Sequence, residues 1–180
     1  LIIDAVYSDF WFDEPVYYPI ENLGKNIFYI NSFSKSLSIT GWRIGYFFAH
    51  AAHSKALRDI HDYIGLCVNA PLQEALAMYL EQNNFGQEYI ENTRKVLMNN
   101  YNAMSEHLES CGLQIENAKG GYYIWAQLPK NYDGFQFTMK LYEKTKVAVI
   151  PGIHFSDEAI SHIRLNIARP INEIEEGIKQ

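Results

Sequence analysis

The 180-residue chain has little cysteine, no long hydrophobic run and no excess of basic residues. Two cysteines, Cys67 and Cys111, cannot form a disulfide scaffold, so a reducing cytoplasm is the expected compartment. No run approaches the roughly 20 apolar residues of a membrane span. Fifteen Lys and Arg against 21 Asp and Glu give a net charge of −6, which argues against bulk binding of nucleic acid or anionic membrane. We therefore expect neither nucleic acid nor membrane among its partners.

Several site patterns are also missing. The sequence has no phosphate-loop or dinucleotide glycine pattern. His50 and His53 are three residues apart, but no carboxylate or third histidine stands at metal-binding spacing, so no metal site is predicted. Hydrophobic residues make up 48% and charged residues 20%, which is the composition of a folded domain with a sizeable core.

The first part of the chain predicts strands of an α/β fold. Leu1-Ile2-Ile3 is a short apolar run without a preceding methionine or cap, and we expect that an earlier part of the protein is missing. Further strands are predicted over 26–31 and 42–49. Strands that are apolar on both faces belong inside a parallel sheet covered by helices.

The rest of the chain predicts helices and then an α+β arrangement. Helices are predicted over 52–64 and from Asn69-Ala70-Pro71 to about Glu81. Apolar residues then recur at helical spacing from Tyr89 to Cys111, a helix of about 25 residues that could join two lobes. Strands are predicted over 113–116, 122–128, 147–150 and 162–168, and helices over 134–144 and 170–180.

The densest chemical signal is the run SFSKSLSITGWRIG, which begins at Ser32. Lysine forms a Schiff base with an aldehyde cofactor when its amine is deprotonated, which makes Lys35 a candidate. The hydroxyls of Ser32 and Ser34, together with Arg43, suit a phosphate group. The alternative for a single lysine is a solvated loop residue, but here several residue types coincide at fixed offsets.

The run resembles the lysine motif of class I/II, fold-type I, pyridoxal-phosphate-dependent aminotransferases, S-x-S-K-x-x-x-x-x-G-x-R-x-G. By this resemblance Lys35 carries pyridoxal 5′-phosphate, and Ser32 and Arg43 bind its phosphate. The implied fold is α/β: the C-terminal part of an aspartate aminotransferase-like large domain with a mostly parallel sheet, followed by a small α+β domain. Residues 1–85 would be the remnant of the cofactor-binding domain, and 86–180 the small domain with the long helix.

A second cluster, Asp4-Ala5-Val6-Tyr7, resembles the D-E-V-Y box of the same family, with Ala5 in place of the usual Glu. An Asp at the carboxyl end of a parallel strand points into the ligand crevice of an open α/β sheet. The resemblance implies that Asp4 pairs with the pyridine nitrogen and that Tyr7 hydrogen-bonds the phenolic oxygen of the ring. The alternatives are that Asp4 only caps the end of the strand and that Tyr7 is only a half-buried aromatic residue.

A third cluster lies near the end of the chain. Residues 147–152 and 162–168 resemble the V-x-P-G and I-R-L-S-F-A segments of the family, and Arg164 matches the arginine that holds the substrate α-carboxylate. A guanidinium offers a planar fork to a carboxylate. Arg169 is the other candidate for binding this carboxylate, but it does not lie in the family motif. Tyr123, on the G-G-x-F/Y strand, together with Trp125, would shape a side-chain pocket or serve ordinary strand packing.

The resemblance implies an aminotransferase that moves an amino group between an α-amino acid and a 2-oxo acid through a Schiff base on Lys35. The full-length protein is expected to be a cytoplasmic homodimer, and the chain alone an inactive fragment. The family's phosphate loop and ring-stacking aromatic precede the Asp box and are absent here. The alternatives are a C–S lyase or decarboxylase of the same fold, or the effector-sensing domain of a transcription regulator.

Overall fold

The computed structural model describes residues 1–18, 23–130 and 132–179. The chain divides into two compact units, Leu1–Arg94 and Lys95–Gln180. The boundary lies inside one long helix, α4 (Gln87–Ser110), and this helix confirms the one predicted from the apolar spacing. The assignment of 1–85 and 86–180 to a cofactor-binding remnant and a small domain stays a prediction.

The first unit contains a sheet with the order β1-β2-β3. Strand β1 (Ile2–Asp4) runs parallel to β2 (Phe28–Ser32), and β2 runs antiparallel to β3 (Gly45–Ala49). The expectation that the third apolar strand would also lie in a parallel pair is wrong. A parallel return needs a crossover connection, commonly a whole helix, whereas the segment between β2 and β3 holds only short turns of helix. The parallel pair β1–β2 still brings the carboxyl ends of both strands to one edge.

Strand β3 is also shorter than predicted. Thr40–Trp42 is a 3₁₀ turn, and Arg43 has a left-handed backbone with φ of 59°, so the stretch before Gly45 is not a strand. Its apolar side chains serve the core instead, because Ile44 is buried against Leu37 and Trp42 packs on the same cluster. The apolar composition correctly indicated burial but not strand pairing.

Helices of the first unit follow the strands. These are α1 (Phe33–Ser36), α2 (Ser54–Gly65) and α3 (Ala70–Gln82). The predicted start of α3 is confirmed, since the Asn69 side chain accepts a hydrogen bond from the Leu72 amide at 3.2 Å and Pro71 lies in the first turn. Residues 7–18, between β1 and β2, are irregular and include turns and bends.

The second unit has an antiparallel sheet with the order β4-β5-β7-β6. Its strands and further helices are β4 (Gln114–Ile115), β5 (Tyr123–Gln127), α5 (Gly134–Thr145), β6 (Ile150–Pro151), β7 (His162–Asn166) and α6 (Ile171–Ile178). The α+β order predicted for this part is confirmed. The strand predicted over 147–150 is wrong except at its last residue, because Val149 is buried but the ladder with β7 includes only Ile150 and Pro151.

The two faces of the β5–β7 pair differ in character. Ile124, Ala126, Ile163 and Leu165 are buried in the core of the second unit, and Tyr123, Trp125 and Arg164 alternate with them. The buried Asn100 of α4 donates to the carbonyls of Ile167 and Arg169, at 2.8 and 2.9 Å, and fixes the chain just after β7. Among the described residues, no helix has the length and apolar character needed to cross a membrane.

Candidate active site

Lys35 lies immediately after β2, in the single turn of α1. Ser32 begins this turn in an extended conformation, and its hydroxyl accepts a hydrogen bond from the Ser34 amide at 3.1 Å. That cap explains why the chain leaves the strand at this residue. Lys35 is half-buried, and its Nζ lies 5.7 Å from the centroid of the Tyr7 ring. Two residues that are far apart in the sequence are therefore neighbours.

Asp4 and Tyr7 occupy the end of β1 and the turn that follows it. One Asp4 carboxylate oxygen accepts from the Val6 amide at 3.2 Å, and the Ser8 amide donates to the Ala5 carbonyl at 2.9 Å. Tyr7 lies inside this turn. Asp4 is opposite Ile30 in the parallel ladder, so its strand ends at the same edge from which Lys35 follows.

The predicted phosphate ligands have unequal surroundings. The Ser32 hydroxyl donates to the Ile44 carbonyl at 3.1 Å, and Ser34 is buried with 8% of its surface exposed. Arg43 is exposed, and its Nη1 donates to the Thr40 carbonyl at 3.0 Å. The structure thus gives Ser32 and Arg43 local backbone partners and places Ser34 in the interior.

The chemistry of this set of side chains fits pyridoxal 5′-phosphate. An amine suits the aldehyde, a carboxylate suits a protonated ring nitrogen, a phenol suits the phenolic oxygen, and hydroxyls with a guanidinium suit the phosphate. Lys35, Asp4, Tyr7, Ser32 and Arg43 supply these groups, and all five lie in the first unit. Within residues 1–18, 23–130 and 132–179, no group of three His, Cys, Asp or Glu residues could hold a metal ion.

Two aromatic rings hold Arg164 in the second unit. Its guanidinium carbon lies 4.1 Å from the centroid of the Tyr123 ring and 4.4 Å from that of Phe155. Such cation–π contacts use none of the N–H donors of the guanidinium. The buried Nε of Arg164 has no hydrogen-bond partner among the described residues. A buried donor of this kind calls for an acceptor, and a carboxylate is the acceptor that best matches its geometry.

The rival Arg169 is already engaged. Its Nε donates to Glu173 Oε2 at 2.9 Å, and this ion pair is exposed on the surface of the second unit. Trp125, opposite Arg164 in the β5–β7 ladder, stacks on His162 with ring centroids 5.3 Å apart and contacts Phe155 edge-on. Arg164 is therefore the arginine with an aromatic enclosure, whereas Arg169 supports the start of α6.

Asp9, two residues after Tyr7, and Tyr46 have shifted pKa values. Burial raises the pKa of Asp9 above its usual 3.8, although the positive charge of Arg94 opposes this shift. Burial raises the pKa of Tyr46 to about 12, with smaller contributions from Tyr29 and Asp9. Arg94 also stacks on Trp11, with 3.9 Å between its guanidinium carbon and the ring centroid. These contacts hold the Asp9–Trp11 segment against α4.

The sequence interpretation did not single out Asn31, Arg94 or Phe155. Asn31 is buried and bonds to Ser8, Tyr29 and Ser32. A polar residue at an inward position of an otherwise apolar strand is the signal that could have marked it. Phe155 stands shortly after the Pro151-Gly152 pair, and its contact with Arg164 depends on the tertiary fold.

Solved structures of other proteins share the fold of this chain. The chain is similar to a solved structure from Methanococcus jannaschii, whose active site is described as similar to that of kynurenine aminotransferases, with 26% identity and a TM-score of 0.90 over 99% of this chain and 48% of that one. It is also similar to the aspartate aminotransferase of Thermotoga maritima, with 27% identity and a TM-score of 0.85 over 99% of this chain and 45% of that one. The fold is that of the aspartate and aromatic aminotransferases.

The family follows from the sequence. The family model "Aminotransferase class I and II" matches residues 1–180, and the chain belongs to this family. The LL-diaminopimelate aminotransferase of Natranaerobius thermophilus is 33% identical over 167 residues, which cover 90% of this chain and 42% of that protein. The chain spans about half the length of the relatives that it matches.

Proposed function

We propose that this chain is the C-terminal half of a pyridoxal-phosphate-dependent aminotransferase that exchanges the amino group of an α-amino acid with the oxo group of a 2-oxo acid. The observation that supports it most is the proximity of Lys35 and Tyr7, whose Nζ atom and ring centroid are 5.7 Å apart. Strand β1, which carries Asp4, ends at the same edge of the sheet. When bound, the cofactor supplies an aldehyde for the amine and a ring that accepts electrons from the substrate Cα.

Different residues of the chain would transfer the proton, contact the cofactor ring and bind its phosphate. Lys35 Nζ would take the proton from the substrate Cα as general base and deliver it, as general acid, to the carbon that carries the cofactor's aldehyde. The Asp4 carboxylate would hold the proton on the ring nitrogen, and Tyr7 would hydrogen-bond the phenolic oxygen. Ser32, Ser34 and Arg43 would bind the phosphate, with Ser34 contributing from the interior.

Arg164 would bind the α-carboxylate of the substrate in this proposal. The aromatic contacts from Tyr123 and Phe155 use none of its N–H donors, and its buried Nε lacks a partner among the described residues. Fixing the carboxylate in this way sets the direction of the bond that must be broken at Cα.

The cysteines and the exposed apolar side chains bear on the cellular compartment and the oligomeric state of the full-length protein. Cys67 and Cys111 are free and exposed, which supports a reducing cytoplasm. Helix α2 buries none of its side chains, and Tyr63, Ile64 and Leu66 at its end expose 92%, 82% and 81% of their surface. Exposed apolar surface of this kind needs protein outside the chain to cover it, and a homodimer is the assembly that we propose.

The test is turnover by the full-length protein that carries this chain. A panel of α-amino acids with 2-oxoglutarate should include LL-diaminopimelate, because the relative from Natranaerobius thermophilus is named for it. We expect stoichiometric formation of a new oxo acid and a new amino acid, with ping-pong kinetics. Release of sulfide or carbon dioxide without amino transfer would instead favour a lyase or a decarboxylase.

The matched variants are Lys35→Ala and Lys55→Ala. Lys55 lies in the same unit with 88% of its side chain exposed, and it pairs only with Asp59 among the described residues. Loss of the general base should lower turnover by about 10²–10⁴-fold. Lys55→Ala should retain it. Turnover by Lys35→Ala near the unaltered rate would overturn the proposed role of Lys35.

A further inference from the structure

Asn31 is a buried polar residue near the end of β2, between the two segments of the proposed cofactor site. It exposes 6% of its surface. Its Nδ2 donates to Ser8 Oγ at 3.3 Å and to Tyr29 Oη at 3.0 Å, and its Oδ1 accepts from the Ser32 amide at 2.7 Å. Both donor hydrogens and the carbonyl oxygen of this side chain therefore have partners.

These partners belong to different segments of the chain. Ser8 directly follows Tyr7 and closes the Ala5–Ser8 turn, whereas Ser32 begins the helical turn that carries Lys35. A single side-chain amide thus bridges the turn with the predicted phenol and the turn with the predicted amine. The Asn31 side chain is buried and its bonds to Ser8 and Ser32 are partly shielded from solvent, where hydrogen bonds hold geometry more firmly than they do in water.

We infer that Asn31 is a positioning residue that holds the Tyr7 turn against the Lys35 turn, so that phenol and amine are set before the cofactor binds. The inference rests on the proposed function. Its consequence is that loss of the bridge weakens cofactor binding through Ser8, without removing any group that touches the cofactor. A purely structural role for Asn31 would lower folding stability alone.

The chain contains a matched control for that distinction. Asn100 is also buried, with 1% exposed, and its Nδ2 donates two hydrogen bonds to backbone carbonyls in the second unit. Asn31→Ala and Asn100→Ala remove the same side chain from comparable burial, and each removes two donated bonds. Both should lower the midpoint of urea unfolding, but only Asn31→Ala should weaken the binding of pyridoxal 5′-phosphate.

The experiment measures the dissociation constant of pyridoxal 5′-phosphate for the full-length protein by absorbance titration. We expect Asn31→Ala to raise this constant about tenfold, which is the effect of one or two net hydrogen bonds. Ser8→Ala, a milder change that keeps Asn31, should raise it about threefold. Since both act through one bridge, the double variant should bind no more weakly than Asn31→Ala alone.

Hydrogen exchange of the cofactor-free protein is a second readout. Asn31→Ala should speed exchange of the Ser8 and Phe10 amides, which close the turns after β1. Cofactor binding within twofold of the unaltered value in both Asn31→Ala and Ser8→Ala would overturn the inference, as would equal weakening by Asn100→Ala. Failure of the unaltered protein to bind the cofactor would instead overturn the proposed function, and this inference with it.

Discussion

Asp9 is a residue whose ionisation should affect folding. It is half-buried, two residues after Tyr7, and burial raises its pKa above 3.8 in spite of Arg94. The folded state therefore binds the proton more tightly than the unfolded state does. By linkage, the free energy of unfolding is greatest at low pH with respect to this group and falls as pH rises from about 3.8 through the raised pKa.

Asp9→Asn should remove the fall in the free energy of unfolding that accompanies the ionisation of Asp9. We expect the variant to unfold at higher urea concentration than the unaltered protein at neutral pH and to lack the fall in stability just above the usual Asp pKa. Asp13→Asn, at an exposed position of the same loop, is the control and should keep the fall. Urea titrations from about pH 3.5 to 7 measure the difference. A parallel pH dependence in Asp9→Asn and the unaltered protein would contradict the account.

The turn between α3 and α4 is the clearest case at the scale of an element. Asn84, Phe85 and Gly86 all have left-handed backbones, with φ of 46°, 56° and 76°. A Cβ on Gly86 would lie 2.7 Å from Leu37 Cδ2 and 3.3 Å from a ring carbon of Tyr79. The turn thus depends on a residue without a side chain, because the core cluster around Leu37 occupies the space.

Gly86→Ala should destabilise the first unit. Left-handed strain and overpacking against Leu37 each cost about 1–2 kcal/mol, so the free energy of unfolding should fall by roughly 2–4 kcal/mol. Gly24→Ala is the control, since nothing lies within 4 Å of a Cβ there. Chemical denaturation measures both. An effect of Gly86→Ala no larger than that of Gly24→Ala would show that the turn accommodates a side chain.

Elements with local signals were the ones predictable from the sequence. The Asn69 cap, the periodic α4 and the apolar β1 all carry their information within a few residues, and all are present. The apolar stretches before Gly45 and before Ile150 were misread as strands, because burial and strand pairing give the same composition. Pairing direction also depends on the connection, which is why the antiparallel β2–β3 pair was not foreseen.

The same difference between local sequence signals and long-range contacts applies to the candidate site. The family resemblance implies that Lys35 and Tyr7 share a site, and Lys35 Nζ lies 5.7 Å from the centroid of the Tyr7 ring. The roles assigned to the site residues stay predictions. The Asn31 bridge and the contact of Phe155 with Arg164 join segments that are distant in sequence, so no local pattern indicated them. Supporting contacts of this kind become visible only in the folded chain.

The whole molecule leaves much apolar surface uncovered. Ile2 on β1 and Phe47 on β3 expose 69% and 51% of their surface, in addition to the apolar end of α2. The relatives are about twice as long as this chain. We therefore expect the 180 residues alone to lack binding groups that the full-length protein has, since the family resemblance implies a ring-stacking aromatic and a phosphate loop outside them.

The isolated chain should bind pyridoxal 5′-phosphate far more weakly than the full-length protein. Ring stacking and backbone hydrogen bonds to phosphate contribute on the order of 1–3 kcal/mol each, so their loss should raise the dissociation constant by at least about 30-fold. The isolated chain should also fail to turn over any amino acid. Side-by-side absorbance titrations and activity assays of the two proteins measure this. Equal affinity together with turnover by the isolated chain would mean that the missing residues contribute little.

We propose that the cofactor attaches to Lys35, and reductive trapping tests this attachment most directly. The full-length protein is incubated with pyridoxal 5′-phosphate and treated with borohydride, and the modified peptides are mapped by mass spectrometry. We predict a saturable modification on Lys35, absent from Lys35→Ala and retained in Lys55→Ala. An unmodified Lys35 at saturating cofactor, or equal modification of exposed lysines such as Lys55, would contradict the account.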